Sequence, residues 1–149
     1  GKAVGFGEAL SEDFQAYAEQ TIANAQALAD RLQEHGFTLV SGGTDNHLLL
    51  VDLRPSHPDT TGKTVESALE SVGVVLNANT VPGETRSAFD PSGIRIGTPG
   101  VTTRGFTEST CREVADLIAR IVDDPEDEET LSAVATRVDE LTDEYTLYE

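Results

Sequence analysis

The stretch from Asn77 to Gly105 constrains this chain more than any other. It is long, rich in Pro, Gly, Asn, Ser and Thr, and runs through the short apolar pair Ile94 and Ile96 with Arg95 between them. A loop of that length inside a compact domain is functional or disordered. The apolar–charged–apolar alternation predicts a short strand that fixes Arg95 on the face opposite the two isoleucines. A guanidinium held this way offers two parallel N–H donors to a planar anion. Arg95 is therefore a candidate ligand for a small carboxylate. The alternative is a surface arginine paired with Asp90 or Glu84.

The rest of the chain supplies a scaffold. From Ser11 to Glu34, Phe14, Tyr17, Thr21, Ala25, Leu28 and Leu32 recur at steps of three and four, which predicts a helix capped by Ser11 and ended by Gly36. Phe37 to Val40 reads as a short strand before the Gly42-Gly43 turn. His47 to Leu53 reads as a strand buried on most of both faces, because its leucines and valine barely alternate. Arg54 to Gly62 is a loop, Thr64 to Val72 a short helix ended by Gly73, and Val74 to Leu76 a brief strand. Thr107 caps a helix with Cys111, Val114, Ile118 and Ile121 on one stripe. After Asp124-Pro125, Glu128 to Tyr145 forms a last helix on Leu131, Val134, Val138 and Leu141. The fold class is α+β: a small, mostly antiparallel sheet of three or four strands with helices on one face.

Charge narrows the partners. The chain has 149 residues with 27 acidic and 10 basic side chains, a formal net charge of -17. No basic footprint for nucleic acid exists, and an anionic membrane surface is excluded as a partner for the same reason. Two readings of the acidity compete: a solvated, self-repelling surface, or a halophilic protein whose carboxylates hold water and cations. The acid excess is spread over every segment and only Lys2 and Lys63 are lysines, which favours the halophile. A single cysteine, Cys111, rules out an internal disulfide and suits a reducing cytoplasm; its place on the helix stripe makes it a core thiol rather than a nucleophile. No run of about 18 apolar residues predicts a membrane span, and no signal-peptide pattern opens the chain. The opening Gly1-Lys-Ala-Val, without Met, suggests a fragment or a processed product.

Few other residues carry chemistry. Asp45 and His47 in Thr44-Asp-Asn-His47 could suggest a dyad or metal ligands, but no third His or Cys stands at ligand spacing, so no metal site is predicted. A tight turn feeding a strand is the better reading. His35 and His57 carry no signal. No Gly-rich phosphate cradle or nucleophile elbow occurs.

Three motifs in order, Tyr17 to Gly36, Leu39-Val-Ser-Gly-Gly-Thr-Asp-Asn-His-Leu-Leu-Leu-Val-Asp-Leu53 and Ser92-Gly-Ile-Arg-Ile-Gly-Thr-Pro-Gly-Val-Thr-Thr-Arg-Gly105, resemble serine hydroxymethyltransferase. The resemblance extends from Gly1 to about Ile121. It implies the C-terminal small domain of a fold-type-I pyridoxal-phosphate transferase, from a halophile. Residues 1–10 would be the end of the connecting segment and residues 11–149 the small domain, with Ser11 to Glu34 the helix that leaves the large domain. The family moves a one-carbon unit between serine and tetrahydrofolate, is cytoplasmic and is a homodimer. By resemblance Arg95 takes the carboxylate of serine or glycine, and Asn79 contacts the pterin ring of the folate; a turn-stabilising Asn is the alternative for Asn79. Where many relatives carry a lysine this chain has Ala78, and Arg104 is better read as a structural ion-pair residue.

The resemblance also implies what is absent. Such an enzyme needs a lysine bound to the cofactor, and neither Lys2 nor Lys63 has the expected context. The catalytic set is therefore not in this chain, which is expected to be inactive alone. The cofactor is expected on a large domain, and the pterin could be tetrahydrofolate or an analogue. With those partners missing, the loop from Asn77 to Pro91 is expected to be the most mobile internal segment of the chain. Two other readings stay open: a free-standing acidic carboxylate-binding module, and a different fold-type-I pyridoxal-phosphate enzyme.

Overall fold

A computed structural model describes residues 1–147. The elements in order are α1 (Lys2–Glu8), α2 (Glu12–Glu34), β1 (Thr38–Leu39), a 3-10 turn (Val40–Gly42), β2 (Leu48–Asp52), α3 (Gly62–Ser71), β3 (Asn77–Asn79), β4 (Gly93–Gly97), α4 (Pro99–Thr103), α5 (Glu108–Asp123) and α6 (Glu128–Glu144). The four strands form one sheet in the order β1-β2-β4-β3, with every neighbouring pair antiparallel. The α+β expectation holds, with the helices against one face.

The long helix begins and ends where its sequence directs. Ser11 is extended, and its Oγ accepts the Phe14 N–H at 3.2 Å. At the other end Gly36 takes φ 86°, which lets the Phe37 N–H reach back to the Leu32 carbonyl. α3 starts two residues earlier than expected, because Thr61 caps it by accepting from the Thr64 N–H. α6 is capped by Asp127 through the Thr130 N–H, just after Pro125.

The core lies between the helices and one side of the sheet. Register places Leu39 opposite Val51, Val51 opposite Ile94 and Leu49 opposite Ile96, and all five are buried. Leu28 and Leu32 of α2, Val65 and Leu69 of α3, and Ile118 and Ile121 of α5 pack in the same cluster. Each such side chain contributes roughly 1.5–3 kcal/mol on burial. Cys111 is fully buried there, and burial pushes its thiol up to about 12, as expected of a core thiol.

Three expectations need correction. β2 is not buried on both faces. Leu49 and Val51 are buried while Leu48, Leu50 and Asp52 are half-buried, since no helix covers the second face. Val74 to Leu76 is not a strand; the three residues that follow form β3 instead. The pairing partner there is Gly93 to Arg95, so the strand carries Asn on the open face and only Ala78 toward Ile94. Pro99–Thr103, expected as loop, is a helical turn with Pro in its first turn.

A buried polar network holds that turn. Asn24 of α2, fully buried, donates from Nδ2 to the Thr102 Oγ1 and to the Phe106 carbonyl, both at 2.9 Å. Thr98 Oγ1 donates to the Thr21 carbonyl, and Tyr17 OH donates to the Pro99 carbonyl. The turn directly after β4 is thereby fixed to the helix beneath it. At the outer edge of the sheet, Glu66 of α3 accepts the Ala78 N–H at 3.0 Å and pairs with Lys63. The Lys63 ammonium first, then the Ala78 amide, hold the Glu66 carboxyl below its ordinary range.

Candidate functional site

Strand alternation puts Ile94 and Ile96 into the core and leaves Arg95 exposed on the uncovered face, as the sequence predicts. β4 is an inner strand, so Arg95 has a neighbour on each side: Leu50 on β2 and Asn77 on β3. Arg95 Nη2 donates to Asn77 Oδ1 at 3.3 Å. Among the described residues Arg95 makes no ion pair, so neither Asp90 nor Glu84 neutralises it. A cleft of about 290 Å³ opens beside it, lined by Thr44, Asp45, Asn46, Leu48 and Leu50 among others.

Asn79 lies on the same face, opposite Gly93 and so roughly 7 Å along the sheet from Arg95. Its Nδ2 donates to the Thr80 carbonyl at 2.7 Å. The amide thus has a local backbone partner at the end of β3. Gly93 permits the close approach of these segments. A Cβ there would stand 2.4 Å from Val81 Cγ1, 2.6 Å from the Val51 carbonyl oxygen and 2.9 Å from that of Asn79.

The loop between β3 and β4 makes defined contacts within the chain. Val81-Pro-Gly-Glu84 is a turn with Pro second and Gly83, at φ 68°, third. Arg54, paired with Asp52 at 2.7 Å, donates to the carbonyls of Pro82 and Gly83 at 2.9 and 2.8 Å. Glu84 accepts the backbone N–H groups of Thr85, Arg86 and Ser92 at 2.9 Å each. Its carboxyl is held down to about 2, with the Ser92 amide the largest cause and the Arg86 amide next. Farther out, Phe89 is 92% exposed. Sequence reasoning missed Asn77 and Arg54 as parts of this site, and named Glu84 only as an alternative ion-pair partner of Arg95, whereas it binds the loop backbone. The Pro-Gly dipeptide was the one local signal of the turn.

The Thr44-Asp-Asn-His47 cluster is a turn, as read. Asn46 Oδ1 accepts the Leu48 N–H, and Thr44 Oγ1 accepts the Asn46 N–H. His47 acts through its backbone carbonyl, which accepts the Thr98 N–H. No group of His, Cys, Asp and Glu able to hold a metal occurs among the described residues. Arg104 is corrected in detail: its recorded partner is the Tyr145 carbonyl at 3.0 Å, a helix-end contact rather than an ion pair. No described helix is long and apolar enough to cross a membrane.

A family model for serine hydroxymethyltransferase matches residues 1–118. The serine hydroxymethyltransferases of Haloarcula marismortui and Haloquadratum walsbyi are each 70% identical to the chain, over 149 and 148 residues. That of Natronomonas pharaonis is 66% identical over 149 residues. The alignments cover 99–100% of this chain but only 35–36% of the relatives' own length. The relatives are archaeal halophiles, in keeping with the halophilic reading of the charge. The chain belongs to the serine hydroxymethyltransferase family.

Proposed function

We propose that this chain is the C-terminal small domain of an enzyme that interconverts serine and glycine with transfer of a one-carbon unit to tetrahydrofolate or an analogue. The observation that carries the reading is Arg95: an exposed guanidinium on an inner strand, without an ion pair among the described residues, beside an open cleft. Its two outer nitrogens present the geometry that binds an amino-acid carboxylate. The open sheet face would turn toward the large domain and the homodimer partner, and Asn79 would offer its amide to the edge of the pterin.

Pyridoxal phosphate, when bound, supplies the electron sink for bond cleavage at the amino acid. Among the described residues neither lysine is placed to hold it. Lys63 is paired with Glu66, and Lys2 lies on α1, which buries none of its residues. The groups that hold the cofactor therefore belong to other parts of the complete protein. Within this chain Arg95 binds and orients the substrate, and the sheet fixes its position. A protein spanning the relatives' full length, with cofactor bound, should form glycine from serine at a rate that rises when a reduced pterin is supplied. Absence of that turnover, with cofactor bound, would contradict the reading.

A further inference from the structure

Asn79 and Arg95 sit on adjacent strands, but the chain between them leaves the sheet and returns. The two ends of that excursion meet at one side chain. Glu84 Oε1 accepts the Thr85 and Arg86 N–H groups and the Ser92 hydroxyl, the last at 2.8 Å. Glu84 Oε2 accepts the Ser92 N–H at 2.9 Å and lies 3.4 Å from the Val81 nitrogen. Arg54 grips the same turn from the other side, through the carbonyls of Pro82 and Gly83. Ser92 is itself anchored, since its carbonyl accepts the Leu53 N–H at the end of β2. Val81, buried, packs over Gly93.

We propose that Glu84 is a positioning residue: its carboxylate ties the residue two past Asn79 to the residue three before Arg95, and so sets how far apart the two groups stand. The proposal rests on the site reading given above. Both oxygens of Glu84 are used as acceptors, so the isosteric amide cannot replace it. Glu84→Gln keeps the shape but turns an NH2 group toward backbone donors on one side. A neck loosened in this way shifts β3 against β4 with no loss of any group that touches the substrate. Displacement of positioning groups by about 1 Å costs on the order of 100-fold in rate.

The experiment compares the complete protein with its Glu84→Gln, Glu84→Asp and Arg95→Lys variants. Amide exchange is followed over residues 80–93, and KM for the amino acid and the pterin is measured apart from kcat. The expected result for Glu84→Gln is faster exchange at Thr85, Arg86 and Ser92, and kcat/KM for both ligands lowered roughly 10- to 100-fold. Glu84→Asp, which keeps the charge with a shorter reach, should lie between it and the parent. Faster exchange with unchanged kcat/KM would make Glu84 a loop stabiliser alone and overturn the proposal. Unchanged exchange would show that the carboxylate does not close the neck. A crippled Arg95→Lys beside an unaffected Glu84→Gln overturns the positioning role only. An unaffected Arg95→Lys removes the site reading, and the positioning role with it.

Discussion

Asn77 stands directly opposite Arg95 across the β3–β4 ladder, and its Oδ1 accepts the arginine's Nη2 at 3.3 Å. One donor is thereby steered while the rest of the guanidinium stays available. Arg95→Lys in the complete protein should keep the fold and abolish most serine turnover. Lysine retains the charge but offers a point donor on a flexible stem. Loss of a charged, bidentate contact costs about 1.5–3 kcal/mol, equivalent to roughly 10- to 150-fold in kcat/KM. Steady-state kinetics with far-UV dichroism as the fold control measure this; turnover within about twofold of the parent would return Arg95 to the surface.

Gly93→Ala should disturb both strands at once. The new methyl meets Val81 and the backbone oxygens of Val51 and Asn79 inside contact distance, and two of those three atoms are main chain. Overpacking of this kind costs about 1–3 kcal/mol. A denaturation midpoint equal to the parent's would show that the neck accommodates a side chain.

Asn24→Leu tests the clamp under the turn after β4. The substitution removes the Asn24 donor from the Phe106 carbonyl and the Thr102 hydroxyl, both on buried residues. The expected loss is about 1–3 kcal/mol, read as a lower urea midpoint at constant slope. No loss would mean that water satisfies those groups.

The Glu84 carboxyl gives a pH signature. Its value falls from an ordinary 4.5 to about 2 on folding, so its contribution to stability is complete above about pH 4.5 and is lost as pH drops through about 2. The amide proton shifts of Arg86 and Ser92 should titrate with a midpoint near 2. A midpoint near 4.5 would show that the neck does not favour the charged form.

Salt should stabilise the fold. A formal charge of -17 on 149 residues is self-repelling, and the screening length shrinks from about 8 Å at physiological ionic strength to about 3 Å at 1 M. The thermal midpoint should rise between about 0.1 and 2 M potassium chloride. A flat or falling midpoint would leave the acidity as a solubility device.

Helices α2, α3, α5 and α6 were legible because their signals are local, whereas α1 was read only as a connecting segment. Three- and four-residue spacing, Ser11 at one end and Gly36 at the other specify α2 without reference to anything else in the chain. Ile94-Arg95-Ile96 was legible for the same reason, since alternation over three residues already assigns each side chain to a face. β3 was not. Its Asn-Ala-Asn sequence is set by an open face that only the finished sheet defines, and apolar Val74 to Leu76 drew the assignment upstream. α4 depends on Asn24, 78 residues away from Thr102. The Arg54 contacts with Pro82 and Gly83 span 28 and 29 residues and follow no period. Such partners are chosen by tertiary geometry, which a linear pattern does not encode.

The Glu66 carboxylate on the Ala78 amide has a consequence for self-association. An exposed strand edge recruits edges of other molecules, and proteins often keep them apart with like charges. That defence works over the screening length, which in molar salt is about 3 Å. A highly charged surface in brine therefore no longer keeps two sheets from touching. Glu66 defends the β3 edge differently, by occupying the one donor that an incoming strand would need there. That occupation acts at hydrogen-bond distance, within the few ångströms to which molar salt confines every other charge on this edge.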